Sequence, residues 1–198
     1  MNNFIQTIQV LTPKELKQVN EYIDTLDFGA CKIFSTGTPK VDERVRTSTG
    51  VTLDDNCGVA KLMTDKLNDA LLVYKQRLIE KAKVIDSYPV PAGMDTTCWR
   101  EGIQILDYTE GQRYTEHFDV ATNPNNSCYH RDISIVLYLS EDFEGGHTVF
   151  SHKKYKPKSG HALFFPSNWC FPHQSEPVKS GKKRVAVTWY YVNDTRNG

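Results

Sequence analysis

The sequence predicts a mainly β protein with helical support, two antiparallel sheets forming a jelly roll with two or more N-terminal helices packed on one sheet. Three observations lead there. After residue 96 about eight short β-rich runs alternate with turn residues. Before residue 84, two stretches carry apolar residues at helical spacing instead. At 198 residues the chain suits one domain and can bury a real core. The expected organisation is therefore one domain over 1–198, with 1–95 as helical support and flap and 96–193 as the jelly-roll core.

The first helix is signalled by "LTPKELKQVNEYIDTL", where Thr12 can cap, Pro13 suits the first helical position and Glu15 can close a capping box. Leu16, Val19, Ile23 and Leu26 then form its buried stripe. A short strand, "CKIF", follows. Residues 35–57 are polar and rich in Gly, Thr, Ser and Asp, which suggests an ordered loop or a mobile flap. A longer helix is expected over about 58–83, where Val59, Leu62, Met63, Leu67, Ala70, Leu71, Tyr74 and Leu78 keep the 3.6 period. The expected strands are "CWREGIQILDY", "RYTEHFD", "ISIVLYLS", "HTVFSH", "GHALFFP", "WCFPHQSEPV" and "RVAVTWYYV", with turns at "TEGQ", "NPNNS", "EDFEGG", "KPKSG" and "VKSGKK".

Composition narrows the function classes. Lys plus Arg and Asp plus Glu both number 24, so no net charge draws in a nucleic-acid backbone or an anionic membrane. No nucleic-acid or membrane partner is expected. The five cysteines, Cys31, Cys57, Cys98, Cys128 and Cys170, are scattered, odd in number and free of any Cys-x-x-Cys. That argues against a zinc ribbon or a disulfide framework and for a reducing compartment. With no basic start leading into an apolar run, and no run near 18 apolar residues, a cytoplasmic location is expected.

The chemistry is carried by "YTEHFD". His117 and Asp119 stand two apart in an expected strand, so both side chains leave one face and converge on one point. Alone, a His-x-Asp pair is weak evidence. His173 in "FPHQSEPV" strengthens it, because in a jelly roll the second and penultimate strands can oppose each other across the open end. Two imidazoles and one carboxylate would bind one face of an octahedral ion and leave three positions open, as in non-haem Fe(II) oxygenases. A closed structural zinc site would use four protein ligands.

Ten residues after His173, "KKRVAVTWYYV" alternates, with Lys183, Val185, Val187 and Trp189 on one face and Arg184, Ala186, Thr188 and Tyr190 on the other. A cation heading the inward row could reach the far carboxylate of a small diacid whose other end chelates the metal. Parity leaves Lys183 and Arg184 both open.

Residues 103–191 resemble the 2-oxoglutarate- and Fe(II)-dependent dioxygenases, and most of all procollagen-type prolyl 4-hydroxylases. The family's Tyr-Gly-x-Gly-Gln-x-Tyr-x-x-His-x-Asp is similar to "YTEGQRYTEHFD", its Tyr-Leu-Ser and Glu-Gly-Gly-x-Thr-x-Phe to "YLSEDFEGGHTVF", and its Gly-x-Lys run to "GKKRVAVTW". The resemblance implies a double-stranded β-helix with His117, Asp119 and His173 as iron ligands. It implies Lys183 as the anchor of the 2-oxoglutarate C5 carboxylate, Tyr108 as a hydrogen-bond donor to that carboxylate, and Trp189 as a pocket wall. Fe(II) is then the cofactor and 2-oxoglutarate the co-substrate, with ascorbate supportive. The implied reaction decarboxylates 2-oxoglutarate to succinate and carbon dioxide while hydroxylating a C–H bond. A prolyl residue of a peptide or protein is the implied substrate, held near the loop 120–131 and under the segment 35–57, where Arg44 and Arg46 could grip peptide carbonyls.

The sequence departs from the family at the rim: His147 replaces a usual acidic residue, and Arg113 and Glu116 flank the motif where aromatic and proline residues are common. A small-molecule substrate stays open, as does a non-catalytic, cupin-like metal-binding module. His130, His152 and His161 read as solvated, His147 as a turn residue, Trp99 and Trp169 as packing residues, and Tyr114 and Tyr138 as inward-facing core or substrate contacts.

Overall fold

The computed structural model describes residues 4–35, 38–81, 98–119, 129–151 and 153–193. It is mainly β with two helices, the jelly-roll architecture that the runs and turns predict. The larger sheet is built on β16 (Lys183–Asn193), which pairs antiparallel with β9 (Tyr129–Tyr138), β7 (Gln104–Tyr108) and β6 (Cys98–Arg100). Beyond β9 lie β13 (His161–Pro166) and then β1 (Gln6–Gln9); beyond β7 lie β5 (Thr49–Thr52) and then β2 (Gly29–Ala30). The smaller sheet runs β12 (Lys153–Tyr155), β11 (Thr148–Phe150), β14 (His173–Ser175), β8 (Tyr114–His117). Two hairpin-like pairs complete the set, β3 (Ile33–Ser35) with β4 (Thr38–Lys40), and β10 (Phe143–Gly145) with β15 (Val178–Gly181).

Helix α1 (Pro13–Ile23) starts as its sequence dictates. The Glu15 N–H donates to Thr12 Oγ1 at 3.3 Å, and the Thr12 N–H donates back to the Glu15 carboxylate at 2.8 Å. Helix α2 (Gly58–Ile79) is capped by Cys57, whose Sγ accepts from the Ala60 N–H. It ends four residues short of the expected 83. Its apolar stripe, including Met63, Leu67, Leu71 and Tyr74, is fully buried against Ile103, Ile105, Ile135 and Leu137 of the larger sheet. Burying each such side chain contributes about 1.5–3 kcal/mol, which fastens the helices to that face.

A second apolar cluster fills the space between the sheets, with Leu106, Tyr108, Tyr138, Phe165, Val185 and Val187 from the larger and Phe150 from the smaller. The alternation of β16 is thereby resolved. Lys183, Val185, Val187 and Trp189 face the space between the sheets, while Ala186 and Tyr190 face the helices.

The structure corrects several expectations. The polar segment 35–57 is not a free loop over its described part. Thr49–Thr52 is a strand of the larger sheet, and the chain before it is tied to the β7–β8 connection and to β8 by Thr47 N–H to Arg113 O (3.1 Å) and Thr115 N–H to Val45 O (2.9 Å). Its side chains are polar because one face lines the site, as shown below. The expected turns "EDFEGG" and "VKSGKK" contain β10 and β15, which pair because Gly145 and Gly181 adopt positive φ. A Cβ at Gly181 would collide with the Asp142 carbonyl. Strand β1 lies in a stretch to which no element was assigned; Ile5 and Ile8 there are buried while Thr7 and Gln9 are exposed. Trp169 is 73% exposed and so is a surface residue, not the packing residue expected. The loop assigned to substrate, over 120–128, and His152 lie outside the described residues, as do the side chains of Trp99 and His130.

Candidate active site

Strands β8 and β14 are adjacent, and His117 is the register partner of His173. The two histidines are therefore cross-strand neighbours within one sheet rather than opposed across the barrel mouth. Asp119 follows β8 and is held by its N–H donating to Ser167 O at 3.1 Å. The result is one cluster, with a donor atom from each of His117, Asp119 and His173 within 4.8 Å of the others. His117 Nε2 and His173 Nε2 each stand 3.5 Å from an Asp119 carboxylate oxygen.

Both rings are oriented by the same device. His117 Nδ1 lies 2.8 Å from Thr115 O and His173 Nδ1 lies 3.1 Å from Phe171 O. A backbone carbonyl can only accept, so each Nδ1 carries the proton and each Nε2 presents its lone pair to the cluster. His117 stacks on Tyr114 at 3.7 Å between centroids, and His173 is wedged between Phe150 and Phe165. Burial alone would raise the Asp119 carboxyl, but His173, His117 and the Ser134 hydroxyl hold it well below the usual carboxylate range. Burial pushes the His173 imidazole down, with Asp119 opposing. The set is thus a carboxylate and two imidazole lone pairs on one side of a point. Two donors at right angles, each about 2.1 Å from an ion, sit about 3 Å apart; the 3.5 Å from each Nε2 to Asp119 is close to that, so the three could draw in onto one face of an octahedral cation.

Lys183 lies on the inner face of β16, at 1% exposure. Its Nζ donates to Gly146 O at 2.7 Å and to Ser175 Oγ at 2.8 Å, and sits 5.0 and 5.4 Å from the ring centroids of Tyr108 and Tyr138. No carboxylate among the described residues is within ion-pair distance of it. Burial pushes this ammonium down to about 7, with Glu176 opposing from a distance. Gly146, at φ +61°, brings its carbonyl close; a Cβ there would stand 3.2 Å from Lys183 Cδ. Arg184 points the other way. It forms a two-pronged pair with Asp107 at 2.8 and 3.0 Å and reaches Asp24 beyond α1 at 2.7 Å. These ion pairs line a surface hollow of about 350 Å³ on the helix side.

The structure places the other predicted residues around this core as follows. Tyr108 is buried with its ring against Lys183, and its hydroxyl is engaged by Arg46 and Ser48. Trp189 is half-buried on the inner face, stacked under Arg131 at 3.6 Å, and Arg131 pairs with Glu101. Tyr138 is fully buried with its hydroxyl 2.7 Å from Thr148 Oγ1. His147 pairs with Glu176, which also accepts from Lys154 at 2.7 Å. The sequence reading overlooked Ser175, Gly146 and the barrel position of Arg46. Ser175 shares strand parity with His173, which was a usable signal; Arg46 had none, because it arrives from a segment that looked like a loop.

Residues 103–191 match the family model of the 2OG-Fe(II) oxygenase superfamily. A putative prolyl 4-hydroxylase of Acanthamoeba polyphaga mimivirus is 36% identical over 107 residues, covering 46% of this chain and 44% of that protein. Probable prolyl 4-hydroxylase 3 of Arabidopsis thaliana is 29% identical over 189 residues, covering 80% of this chain and 58% of that protein. The alignments thus span about half the length of these relatives. Among solved structures, the viral collagen prolyl hydroxylase of Paramecium bursaria Chlorella virus-1 superposes with TM-score 0.62 at 20% identity, covering 96% of each chain. A Trichoplax adhaerens prolyl hydroxylase, solved with a hypoxia-inducible-factor peptide fragment, gives 0.66 at 17% identity, covering 96% of this chain and 84% of that one. These two share the fold. With the family match and the curated relatives beside the His-Asp-His cluster, residues 103–191 are similar to the 2OG-Fe(II) oxygenase superfamily and, within it, to prolyl 4-hydroxylases.

Proposed function

We propose that the chain is an Fe(II)- and 2-oxoglutarate-dependent hydroxylase that acts on a prolyl residue of a peptide or protein. One observation carries the reading: a metal-ready cluster and a buried ammonium lacking a counter-anion among the described residues share one barrel interior. A lone buried cation is costly, and a dicarboxylate bound between it and the metal would remove that cost. A non-catalytic metal-binding module would gain nothing from such a cation.

His117, Asp119 and His173 would hold the Fe(II). Bound together, Fe(II), 2-oxoglutarate and dioxygen supply the oxidative decarboxylation to succinate and carbon dioxide and the oxygen that enters the C–H bond. The chain supplies placement. Lys183 would pair with the distal carboxylate and so fix the direction of the co-substrate, with Tyr108 and Trp189 as walls of its pocket. Phe150, Phe165 and Val187 keep the interior dry, which strengthens that pairing. Backbone bonds to Thr115 and Phe171 keep both Nε2 lone pairs aimed without rearrangement.

Support for a prolyl substrate comes from relatives named as prolyl 4-hydroxylases and from the fold neighbour solved with a peptide. A cytoplasmic location is supported by Cys31, Cys57 and Cys170 being free thiols. The test is succinate release from 2-oxoglutarate with Fe(II) and ascorbate, alongside mass spectrometry of proline-rich peptides and free amino acids. Gain of one oxygen on a peptidyl proline is the expected result. Oxygen gained only by free proline or another metabolite would overturn the peptide reading and keep the oxygenase; no succinate under any condition would overturn both.

A further inference from the structure

We infer that the hydroxyls of Ser134 and Ser167 form a serial relay that aims the Asp119 carboxylate, which makes Ser134 its positioning residue. This rests on the reading of His117, Asp119 and His173 as a metal site.

The three ligands are not supported alike. Each histidine ring is aimed by a carbonyl two residues earlier on its own segment, Thr115 O for His117 and Phe171 O for His173. Asp119 lies two residues beyond the end of β8, so its aim depends on partners from elsewhere. Those partners come from β9 and from the residue that follows β13. The Asp119 N–H donates to Ser167 O at 3.1 Å, the Ser167 N–H donates to Asp132 O at 2.9 Å, and the Ser134 and Ser167 hydroxyls stand 2.8 Å apart. Ser134 also hydrogen-bonds the Asp119 carboxylate. Ser167 therefore grips Asp119 twice, at the backbone directly and at the carboxylate through Ser134.

Both serines are 1% exposed, and Ser134 stands on the inner face of β9 in register with Phe165 and Trp189. A buried hydroxyl costs free energy in such company unless it is bonded. A count of protons then gives the contacts a direction, because an ionised carboxylate only accepts and each hydroxyl carries one proton. Ser134 spends its proton on Asp119 and must accept from Ser167. The order Ser167 to Ser134 to Asp119 is the one that satisfies both contacts, and accepting from Ser167 makes Ser134 the stronger donor. The relay engages one carboxylate oxygen and leaves the other turned to a cation.

Calorimetric titration with Mn(II), on full-length variants whose metal-free thermal unfolding is cooperative, reads the relay without turnover. Ser134→Ala is expected to weaken Mn(II) binding about tenfold to a hundredfold, and Ser167→Ala to weaken it less. The double variant is expected to bind like Ser134→Ala alone, because a serial relay has nothing left to lose once its middle member is gone. Ser134→Thr and Ser134→Val match in shape and differ in the hydroxyl, so the Thr variant is expected to bind the ion more tightly than the Val variant. Wild-type affinity in Ser134→Ala overturns the inference, as do losses that add in the double variant or equal affinities in the Thr and Val variants. Wild-type protein that binds no Mn(II) overturns the metal-site reading itself.

Discussion

Replacing Lys183 by Met should make the ligand-free protein more stable while disabling co-substrate binding. Lys183 is 1% exposed, and burial pushes it from 10.5 down to about 7. The unfolded chain keeps the ordinary value, so between pH 7 and 10.5 the unfolded state binds more protons and stability rises with pH. The cost is therefore fully present below pH 7 and relieved as pH approaches 10.5. A displacement of that size corresponds to about 4–5 kcal/mol. Met removes it at similar volume but strips Gly146 O of its donor, which costs about 1–3 kcal/mol. The net expectation near pH 6 is about 1–4 kcal/mol of added stability, or about 2–16 °C in Tm for a chain of this length. Near pH 10 the advantage should vanish. Thermal unfolding at pH 6, 8 and 10, with and without 2-oxoglutarate, measures it. Wild type should gain stability on adding the co-substrate and Lys183→Met should not. A variant destabilised equally at every pH would refute the claim that this ammonium is strained until an anion arrives.

Other consequences follow from the same geometry. Because an anion would raise the Lys183 ammonium from about 7, 2-oxoglutarate affinity should be greatest at or below pH 7 and fall by up to about tenfold per unit above it; a flat Kd from pH 6.5 to 8.5 would contradict this. Arg184→Ala should cost about 2–4 kcal/mol in denaturant unfolding by leaving Asp107 without its two-pronged partner, yet change 2-oxoglutarate affinity little. If Arg184→Ala instead abolishes binding and Lys183→Met does not, the facing of β16 is misread. Alanine at His117, Asp119 or His173 should abolish Mn(II) binding by calorimetry and turnover with Fe(II). His173→Ala should also lose about 1–3 kcal/mol of stability because its ring fills space between Phe150 and Phe165; full activity in that variant would remove His173 from the ligand set. Gly146→Ala, forced to hold φ +61° with its Cβ against Lys183 Cδ, should lower both stability, by about 1–3 kcal/mol, and 2-oxoglutarate affinity; affinity equal to wild type would show that the Gly146 carbonyl does not position the lysine.

Much of this was legible in the chain because it depended on local rules. Capping by Thr12 and Glu15, the 3.6-residue stripe of α2 and the two-residue alternation of β16 each arise within one element, and the structure repeats them. His117 and Asp119 could be paired for the same reason, since a strand puts i and i+2 on one face. The ten-residue spacing of Lys183 from His173 likewise lies within the sequence itself and is similar to the family register.

What stayed hidden depended on distant partners. Sequence parity allowed Lys183 or Arg184 to face the barrel; the answer lies in Asp107 and Asp24 waiting on the helix side and in Gly146 and Ser175 on the other. Polar, glycine-rich composition marked 35–57 as a loop, yet Thr49–Thr52 joins the larger sheet and Arg46 is buried against Tyr114, because polar residues are tolerated where a site needs them. The residue types fixed which chemistry was possible, through ligand identity and strand period. Only tertiary pairing decided which cation would stand without an anion among the described residues, because that depends on each carboxylate the fold brings near it or keeps away.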